Sequence, residues 1–571
     1  RALTSSGPSE IVPMRLFSLA LFCLFSYSVY GTDKYAAPTC DILVQNGRVV
    51  DGSGNPWFYA DIAIEDGKIS AIGKRLPHIA VVKIDATGLI VSPGFIDIHS
   101  HSDINILKDG LAQSKIRQGV TTEILGEGGS AAPSTGVRAP RSLQIDEKIY
   151  RWSTFTEYFD LVDKRTISVN VASYVGLSTI WECVMGNSFA RPNETQFSEM
   201  ERLIKIAMQQ GALGLSSQVM MPPGSLATTN DLVRLATVVA PFGGLYSTHI
   251  RNEGLGVFAS VKEAIAVGEQ AGIPVDIIHI KIADESNWGR MNEVVQLIEA
   301  ARLRGVDVQA NVYPYTRGNN NLISIIPPWA HEGGTKRLLE RLATPADRKQ
   351  IHHDIINGTD DWYNHYTAVG GDWSRMLISG NHQFRGLTMD RVFMLRGNPT
   401  DKVNDLLSLL QENGGGISTV YAHHTEKDMN YVLQQSWCSV GSDGSAYAID
   451  GPLRVGNPHP RNFGTFPRVL GKYVRQQKLL SLEDAVRKMT SLNANKVGLR
   501  DRGTIKIGFA ADVVIFDAKA VIDRSTYTAP FAYPVGIPYV IVNGELTIEN
   551  GKHTGARAGT SLRKITPLNT P

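Results

Sequence analysis

Eight short segments of strand-like composition alternate with helical patterns through the middle of the chain. They cover residues 95–101, 120–125, 169–175, 213–216, 245–250, 275–280, 306–312 and 438–441. Strands that alternate with helices are typical of a parallel sheet with helical crossovers, and eight strands close an α/β barrel. We therefore predict an α/β fold with a (β/α)8 TIM barrel over residues 93–502.

The two ends of the chain carry a different pattern. Residues 40–92 and 503–555 alternate apolar and polar positions, and Asn46-Gly47, Asp66-Gly67 and Asn543-Gly544 follow or separate their apolar runs. Such pairs are hairpin signals, so we predict one small β-sandwich domain built from both ends. The stretch between the seventh and eighth segments is far longer than one helix needs. It predicts an inserted lobe at about 317–415, which would cover the barrel mouth.

An apolar run follows Met14-Arg15 and ends in small residues at Gly31. This is the pattern of a secretory leader over residues 1–31, and the run is short for a membrane span. A buried helix or a membrane anchor is the alternative. Residues 1–13 precede the first methionine, and we expect them to be untranslated. We predict a secreted protein, or one in the lumen of the secretory pathway, without a stable membrane span.

The charge and cysteine content argue against two classes of protein. Lys plus Arg number 57 and Asp plus Glu 55, a formal net charge of +2 with no long basic run, so nucleic acid is not an expected partner. Beyond the leader, Cys40, Cys183 and Cys438 are widely spaced, which is no disulfide framework. With 571 residues, 43% of them hydrophobic, the chain can bury more than one core. Its oligomeric state stays open.

Metal-binding side chains recur where the predicted strands end. His99 and His101 are two residues apart at the end of the first strand, and side chains at that spacing point to the same side. The carboxyl ends of barrel strands share one face, so histidines and carboxylates from other strands should meet them there. We therefore predict a metal site, for which imidazole and carboxylate are suitable ligands. The candidate ligands are His99, His101, Glu127, His249, His279 and Asp443.

Nine motifs, several of which contain these candidate ligands, give the chain a family resemblance. They are Pro93-Gly-Phe-Ile-Asp-Ile-His-Ser-His-Ser-Asp103, Gly119-Val-Thr-Thr-Glu123, Met221-Pro-Pro-Gly224, Ser247-Thr-His-Ile-Arg-Asn-Glu253, His279-Ile-Lys281, Val312-Tyr-Pro-Tyr315, Pro327-Pro-Trp-Ala-His-Glu-Gly333, Gly441-Ser-Asp-Gly444 and His459-Pro-Arg461. With them the chain resembles the amidohydrolase superfamily, and within it the D-aminoacylase family of N-acyl-D-amino-acid deacylases. The resemblance runs from about Cys40 to Gly551.

The resemblance implies an enzyme that cleaves the amide bond of N-acyl-D-amino acids to a carboxylate and a free D-amino acid. Its implied cofactor is zinc, as one or two ions, and its partner is the small-molecule substrate. A metal lowers the pKa of bound water toward ~7, so that hydroxide can attack the amide. Asp443 would be the catalytic residue, taking the proton of that water as general base and passing it to the amine. For Asp443, the alternative is a capping aspartate in a Ser-Asp-Gly turn.

The resemblance also assigns Lys281 and Tyr313 to the α-carboxylate of the substrate. Arg251 and Arg461 are further candidates for substrate binding, although a packing role is as well supported for Arg461 and its neighbour His459. The remaining histidines are expected on the surface or in a lid: His331, His352, His353, His423 and His424.

The chain departs from the family pattern after the second predicted strand. The bacterial D-aminoacylases carry a cysteine ligand there, whereas this chain reads Gly126-Glu-Gly-Gly129. We assign Glu127 the role of that cysteine, and the alternative is an exposed loop glutamate with the metal held by histidines. Other readings of the function are an isoaspartyl dipeptidase, a cyclic-amide hydrolase, a deaminase, or a metal-free scaffold on the same fold. Related cyclic-amide hydrolases use a carboxylated lysine on the fourth strand, and the stretch 211–218 has no lysine.

Overall fold

The computed structural model describes residues 37–145, 147–359 and 362–564. The predicted leader, residues 1–31, lies outside the described residues. Within the described ranges, no helix has the length and apolar character needed to cross a membrane. Cys40, Cys183 and Cys438 are buried free thiols, in keeping with the prediction of no disulfide framework.

The strands and helices have the following bounds. The strands are β1 Thr39–Val49, β2 Phe58–Glu65, β3 Lys68–Gly73, β4 Ile79–Asp85, β5 Ile90–Pro93, β6 Phe95–Asp97, β7 Val120–Leu125, β8 Arg141–Ile145, β9 Lys148–Trp152, β10 Asn170–Ser173, β11 Val175–Gly176, β12 Gly214–Gln218, β13 Leu245–His249, β14 Val275–Ile277, β15 Val308–Val312, β16 Gly318–Asn321, β17 Met376–Ile378, β18 Ser418–Tyr421, β19 Cys438–Val440, β20 Val513–Phe516, β21 Tyr539–Val542, β22 Glu545–Glu549 and β23 Lys552–His553. The helices are α1 Asn105–Lys108, α2 Gln113–Ile116, α3 Phe155–Arg165, α4 Leu177–Met185, α5 Glu194–Gln209, α6 Thr229–Thr237, α7 Val257–Ala271, α8 Met291–Leu303, α9 Gly334–Ala343, α10 Pro345–Asn357, α11 His365–Ala368, α12 Met389–Leu395, α13 Lys402–Glu412, α14 Glu426–Leu433, α15 Arg461–Arg468, α16 Leu482–Met489 and α17 Ser491–Val497.

Parallel strands form the middle of the molecule, and each of the eight predicted segments overlaps one. One sheet has the order β10-β7-β6, and a second has the order β11-β12-β13-β14-β15-β19. All pairs in both sheets are parallel. The segments that follow β6 and β19 meet in a parallel bridge between Ser100 and Gly444. The strand ends that carry the predicted metal ligands are therefore neighbours.

A nine-stranded sheet draws its strands from both ends of the chain. Its order is β23-β22-β21-β20-β5-β1-β2-β3, and β4 pairs with β1. The antiparallel pair of β20 with β5 joins the two ends. Apolar side chains of both ends, among them Ile62, Val91, Val513 and Ile541, are buried in one cluster. Burial of this shared apolar surface holds the two ends together.

The dipeptide Asn46-Gly47 does not turn the chain, contrary to the hairpin prediction. β1 continues through both residues, and its register against β2 shifts there in a bulge, with φ of 60° at Asn46. The amide of Asn46 donates to Asp61 Oδ1 at 2.9 Å. Because the neighbouring strand supplies this partner, the left-handed residue is accommodated in a β-bulge. Asp66-Gly67 does form the predicted turn, between β2 and β3.

Residues 318–421 contain a separate group of elements between β15 and β19. Their antiparallel sheet has the order β16-β18-β17, and α9 to α13 belong to the same stretch of chain. These elements have an apolar cluster of their own, which includes Leu338, Ile378, Phe393 and Leu407. We call residues 318–421 the inserted lobe.

Candidate active site

The predicted metal ligands line one cavity of about 430 Å³. Each follows or ends a parallel strand, so the shared direction of the strands brings the side chains to one face. The ligands in the lining are His99 and His101 after β6, Glu127 after β7, His249 at the end of β13, His279 after β14 and Asp443 after β19. The structure therefore brings all six together.

The imidazoles of His99 and His101 converge on Asp443. Their Nε2 atoms lie 3.2 Å apart, and they lie 3.6 Å and 3.1 Å respectively from Asp443 Oδ1. His279 Nε2 lies 3.9 Å from the other oxygen, Oδ2. Ligand atoms of His99, His279 and Asp443 all lie within 4.8 Å of one another, which is close enough to share one ion.

A second group of ligand-type side chains adjoins the first. Ligand atoms of His249, Glu253 and His279 also lie within 4.8 Å of one another. Glu253 Oε1 lies 3.0 Å from His279 Nδ1 and 3.8 Å from His249 Nε2. Sequence analysis did not select Glu253, although it stands four residues after His249 in one of the motifs. Its distance from the end of β13 gave no reason to expect it in the site.

A buried lysine aligns the two loops that carry His99 and Asp443. The Nζ atom of Lys115 lies 2.7 Å from Asp97 Oδ2 and donates to Ser442 Oγ at 2.8 Å. Asp97 precedes His99 by two residues, and Ser442 directly precedes Asp443. Lys115 and Asp97 are fully buried, so this ion pair is shielded from water. The charge network therefore fixes the relative position of these two loops.

Two site residues have left-handed backbones. The φ angle is 36° at His279 and 49° at Asp443, a region that non-glycine residues seldom adopt. The His279 amide donates to Asn311 Oδ1 at 2.9 Å, and the Asp443 amide donates to the His99 carbonyl oxygen at 2.8 Å. These bonds hold the two strained residues in place, as is common at functional sites.

Glu127 is buried and has one unpaired oxygen. Ser247 Oγ donates to its Oε1 at 2.7 Å, whereas its Oε2 has no hydrogen-bond partner among the described residues. Burial raises the pKa of this carboxyl well above its usual range. The alternative of an exposed loop glutamate is therefore wrong. A buried carboxylate oxygen without a partner, in a cavity lined by four imidazoles, is what a cation would satisfy, so these residues fit zinc.

The electrostatics favour neutral imidazoles and an ionised aspartate. Burial lowers the pKa of His99 well below its usual range, and burial together with the Lys281 charge lowers that of His279 to about 4. A neutral imidazole has a lone pair for a metal. Burial alone would raise the pKa of Asp443, but the Arg461 guanidinium and the neighbouring histidines outweigh it and hold that pKa well below its usual range.

Two cations lie beside the cluster, and both are close to the same aromatic ring. Lys281 Nζ is 5.7 Å and the Arg461 guanidinium carbon is 4.8 Å from the ring centre of Tyr313. Lys281 pairs with Glu253 Oε1 at 2.5 Å, and Arg461 with Asp443 Oδ2 at 2.7 Å. Lys281 and Tyr313 line a smaller cavity that shares His249, His279 and Asp443 with the main one. The structure thus places all three beside the candidate metal ligands, and their role in substrate binding stays a prediction.

Arg251 is directed away from this cavity, which corrects its prediction as a substrate-binding residue. Its guanidinium lies 2.8 Å from Glu263 Oε1 and 3.0 Å from Oε2. It also donates to the carbonyl oxygens of Ser225 and Ala227. These bonds tie the loop after β12 to α7, so Arg251 has a structural role.

We expect Arg251→Met to destabilise the protein by about 1–3 kcal/mol, because two carbonyl oxygens lose their guanidinium donor and Glu263 loses its counterion, keeping only the bond from the Thr229 hydroxyl. Urea denaturation would measure the free energy of unfolding. The KM for substrate should stay within about twofold, since a contact outside the cavity does not bind substrate. A large rise in KM with unchanged stability would return Arg251 to the substrate site.

Two of the histidines expected on the surface or in a lid are buried instead. His423 and His424 follow β18, the last strand of the inserted lobe, and His424 Nε2 is 2.8 Å from the Tyr315 carbonyl oxygen. His423 lines the smaller cavity together with His365, which sequence analysis missed because no predicted strand ends there. His365 stacks on Tyr421 with ring centres 4.4 Å apart, and burial lowers its pKa to about 3.

The other three histidines of that group, His331, His352 and His353, lie outside both cavities. His459 lines the main cavity, but both of its ring nitrogens have partners. Its Nε2 lies 2.9 Å from the Arg317 carbonyl oxygen, and its Nδ1 accepts from the Arg461 amide at 3.0 Å. A hydrogen bond of this kind holds the loop that carries His459. The structure therefore shows the packing role for this residue.

Comparison with known proteins gives the same family from sequence and from structure. The model of the amidohydrolase family matches residues 83–406 and 444–548. A D-aminoacylase of Alcaligenes xylosoxydans xylosoxydans is 32% identical over 527 residues, covering 92% of this chain and 98% of the relative. An N-acyl-D-glutamate deacylase of the same organism is 34% identical over 508 residues, covering 88% and 93%.

A solved structure is similar over the same range. It is the N-acyl-D-glutamate deacylase of Bordetella bronchiseptica, complexed with zinc and a phosphonate inhibitor that mimics the tetrahedral intermediate of the reaction. The TM-score is 0.76 at 30% identity, and the match covers 92% of this chain and 100% of that one. The candidate ligands at its strand ends agree with these matches in sequence and structure. The chain therefore belongs to the amidohydrolase family and, within it, to the D-aminoacylases.

Proposed function

We propose that the chain is a zinc-dependent hydrolase that cleaves N-acyl-D-amino acids to a carboxylate and a free D-amino acid. The observation that carries this proposal is the convergence of four histidines with Glu127 and Asp443, next to the cations Lys281 and Arg461. The similar D-aminoacylase and N-acyl-D-glutamate deacylase, by their names, act on this class of substrate. The zinc and the phosphonate of the similar structure support the same cofactor and the same class of small molecule.

The two groups of ligand atoms would hold one or two zinc ions. His99, His279 and Asp443 form one group, and His249, Glu253 and His279 form the other. His101 and Glu127 line the same cavity. Bound zinc would polarise the amide carbonyl and make water a stronger nucleophile near neutral pH. His99 and His279 stay uncharged there, because burial lowers the pKa of both.

Asp443 moves the proton in this proposal. Its pKa is held below the usual range, chiefly by Arg461 acting against the effect of burial, so the carboxylate is ionised when water arrives. It would accept the proton of the water and give it to the nitrogen of the departing amine, which leaves poorly without it. Lys281, Tyr313 and Arg461 would bind the α-carboxylate and so orient the scissile amide above Asp443.

We propose the finer architecture on the same basis. The parallel strands would close into a (β/α)8 barrel through the bridge between Ser100 and Gly444, and the nine-stranded sheet would fold over its apolar cluster as a β-sandwich. The predicted domain ranges, 40–92 with 503–555 and 93–502 with a lobe at about 317–415, stay proposals. So does a secretory location, which rests on the leader-like run that ends at Gly31.

Paired substrates test the function most directly. Protein purified with zinc should release free amino acid from N-acetyl-D-glutamine or N-acetyl-D-methionine at least ~10²-fold faster than from the L forms, because the α-carboxylate cations and the metal ligands fix one handedness. Amino acid release would be measured for each D and L pair. Equal rates for the two forms would contradict the proposal, and absence of both zinc and hydrolysis would favour a metal-free scaffold.

A further inference from the structure

One wall of the main cavity is made of amide and hydroxyl side chains of the inserted lobe. Asn319 on β16, Ser418 on the neighbouring β18, Ser379 directly after β17, and Asn381 at the rim all line it. We call these four residues the amide wall. Asn319 also lines the smaller cavity that contains Lys281 and Tyr313. The amide wall therefore begins beside the proposed α-carboxylate site.

The amide wall has hydrogen-bond donors to spare. Ser379 Oγ donates to Asn319 Oδ1 at 2.8 Å, and Ser418 Oγ lies 3.4 Å from the same oxygen. These hydroxyls orient the Asn319 carboxamide, so its Nδ2 is the group left to donate. In the described part of the chain, neither Asn319 Nδ2 nor the carboxamide of Asn381 has a hydrogen-bond partner.

The amide wall has no counterion for a second carboxylate. Among the described residues that line the two cavities, the basic side chains other than histidine are Arg461 and Lys281. Each is already paired, with Asp443 and Glu253 respectively, and both are needed for the α-carboxylate. An acidic side chain against the wall would lose its water without gaining a partner of opposite charge, which is costly.

An apolar side chain would be a poor match for a different reason. It would cover Asn319 Nδ2 and the serine hydroxyls without replacing their bonds to water. A polar site rejects analogues that cannot make its hydrogen bonds, because its own groups are then left unpaired.

We propose that the substrate of this chain is an N-acyl-D-amino acid whose side chain is uncharged and hydrogen-bonding, such as a carboxamide, and that the amide wall selects it. This inference rests on the proposed function, because the side chain reaches the wall only when Lys281, Tyr313 and Arg461 hold the α-carboxylate. This specificity would distinguish the chain from the similar relative that is named an N-acyl-D-glutamate deacylase. A sequence identity of 34% does not by itself show whether the two proteins prefer the same substrate side chain.

Three substrates of matched size test the inference: N-acetyl-D-glutamine, N-acetyl-D-glutamate and N-acetyl-D-methionine. With zinc-loaded full-length protein, kcat/KM for the glutamine form should exceed that for either of the others at least ~10-fold. A higher value for the glutamate or the methionine form would overturn this inference alone. Hydrolysis of none of the three would overturn the proposed function and this inference with it.

Two variants locate the selection in the wall. Asn319→Leu should shift the ratio of methionine to glutamine turnover at least ~10-fold toward methionine, since it removes the oriented donor. Asn381→Arg adds a cation at the exposed rim, where folding tolerates it, and should raise the ratio of glutamate to glutamine turnover by a similar factor. Asn381→Gln, the matched neutral control, should keep that ratio. Unchanged ratios in both test variants would place the selection elsewhere.

Discussion

Asp443→Asn is expected to lower kcat at least ~10²-fold, since that is the usual scale for a general acid–base group. The protein should keep its zinc, because four histidines and Glu127 remain as candidate ligands. The amide retains an oxygen that faces His101 and His99, but it cannot accept the proton of water at neutral pH. Steady-state kinetics and metal analysis of the same preparation would measure the two effects. Because Arg461 is then left without its partner at Oδ2, KM is expected to change as well.

The control for this substitution is Asp450→Asn. Asp450 is an exposed aspartate seven residues further along the same loop, outside the cavity lining, so the variant should keep kcat within about twofold. A near-normal kcat for Asp443→Asn would assign the base to another residue. Loss of zinc together with kcat would show that Asp443 acts mainly as a ligand.

Glu127→Gln should weaken zinc binding by at least ~10²-fold, because a neutral amide is a much poorer zinc ligand than a carboxylate. The substitution keeps the shape and the bond from Ser247, so the metal-free protein should fold. Zinc raises the Tm of a protein that binds it only in the folded state, and this rise should be much smaller in the variant. Zinc titrations followed by Tm would measure it without reference to activity.

Glu127→Cys should restore part of the lost zinc affinity. Thiolate is the ligand that the family resemblance places at this position, and zinc accepts either donor. The rescue is expected to be partial, since a cysteine side chain is shorter than glutamate. Glu545→Gln, at an exposed position on β22, is the matched control and should bind zinc as the unmodified protein does. A full zinc complement in Glu127→Gln would leave the metal to the histidines and Asp443.

The sequence by itself determined the positions of the strands and of the candidate ligands at their ends. Alternation of strand and helix patterns is a local property, and all eight predicted segments overlap a strand. The spacing of His99 and His101 is also local, because residues two apart on an extended segment face the same side whatever surrounds them. The same holds for His249, His279 and Asp443, which follow their strands by at most two or three residues.

Only the tertiary structure decided what residues further from the strand ends do. Arg251 lies two residues past β13, yet its side chain pairs with Glu263, away from the cavity. Glu253 lies two residues later, and its side chain contacts His279 in the site. Asn46 is a bulge because β2 supplies Asp61, and His423 is buried because the inserted lobe packs beside Lys281. In each case the partner is distant in sequence or on another element. Side-chain direction in loops is set by such contacts, which no local spacing contains.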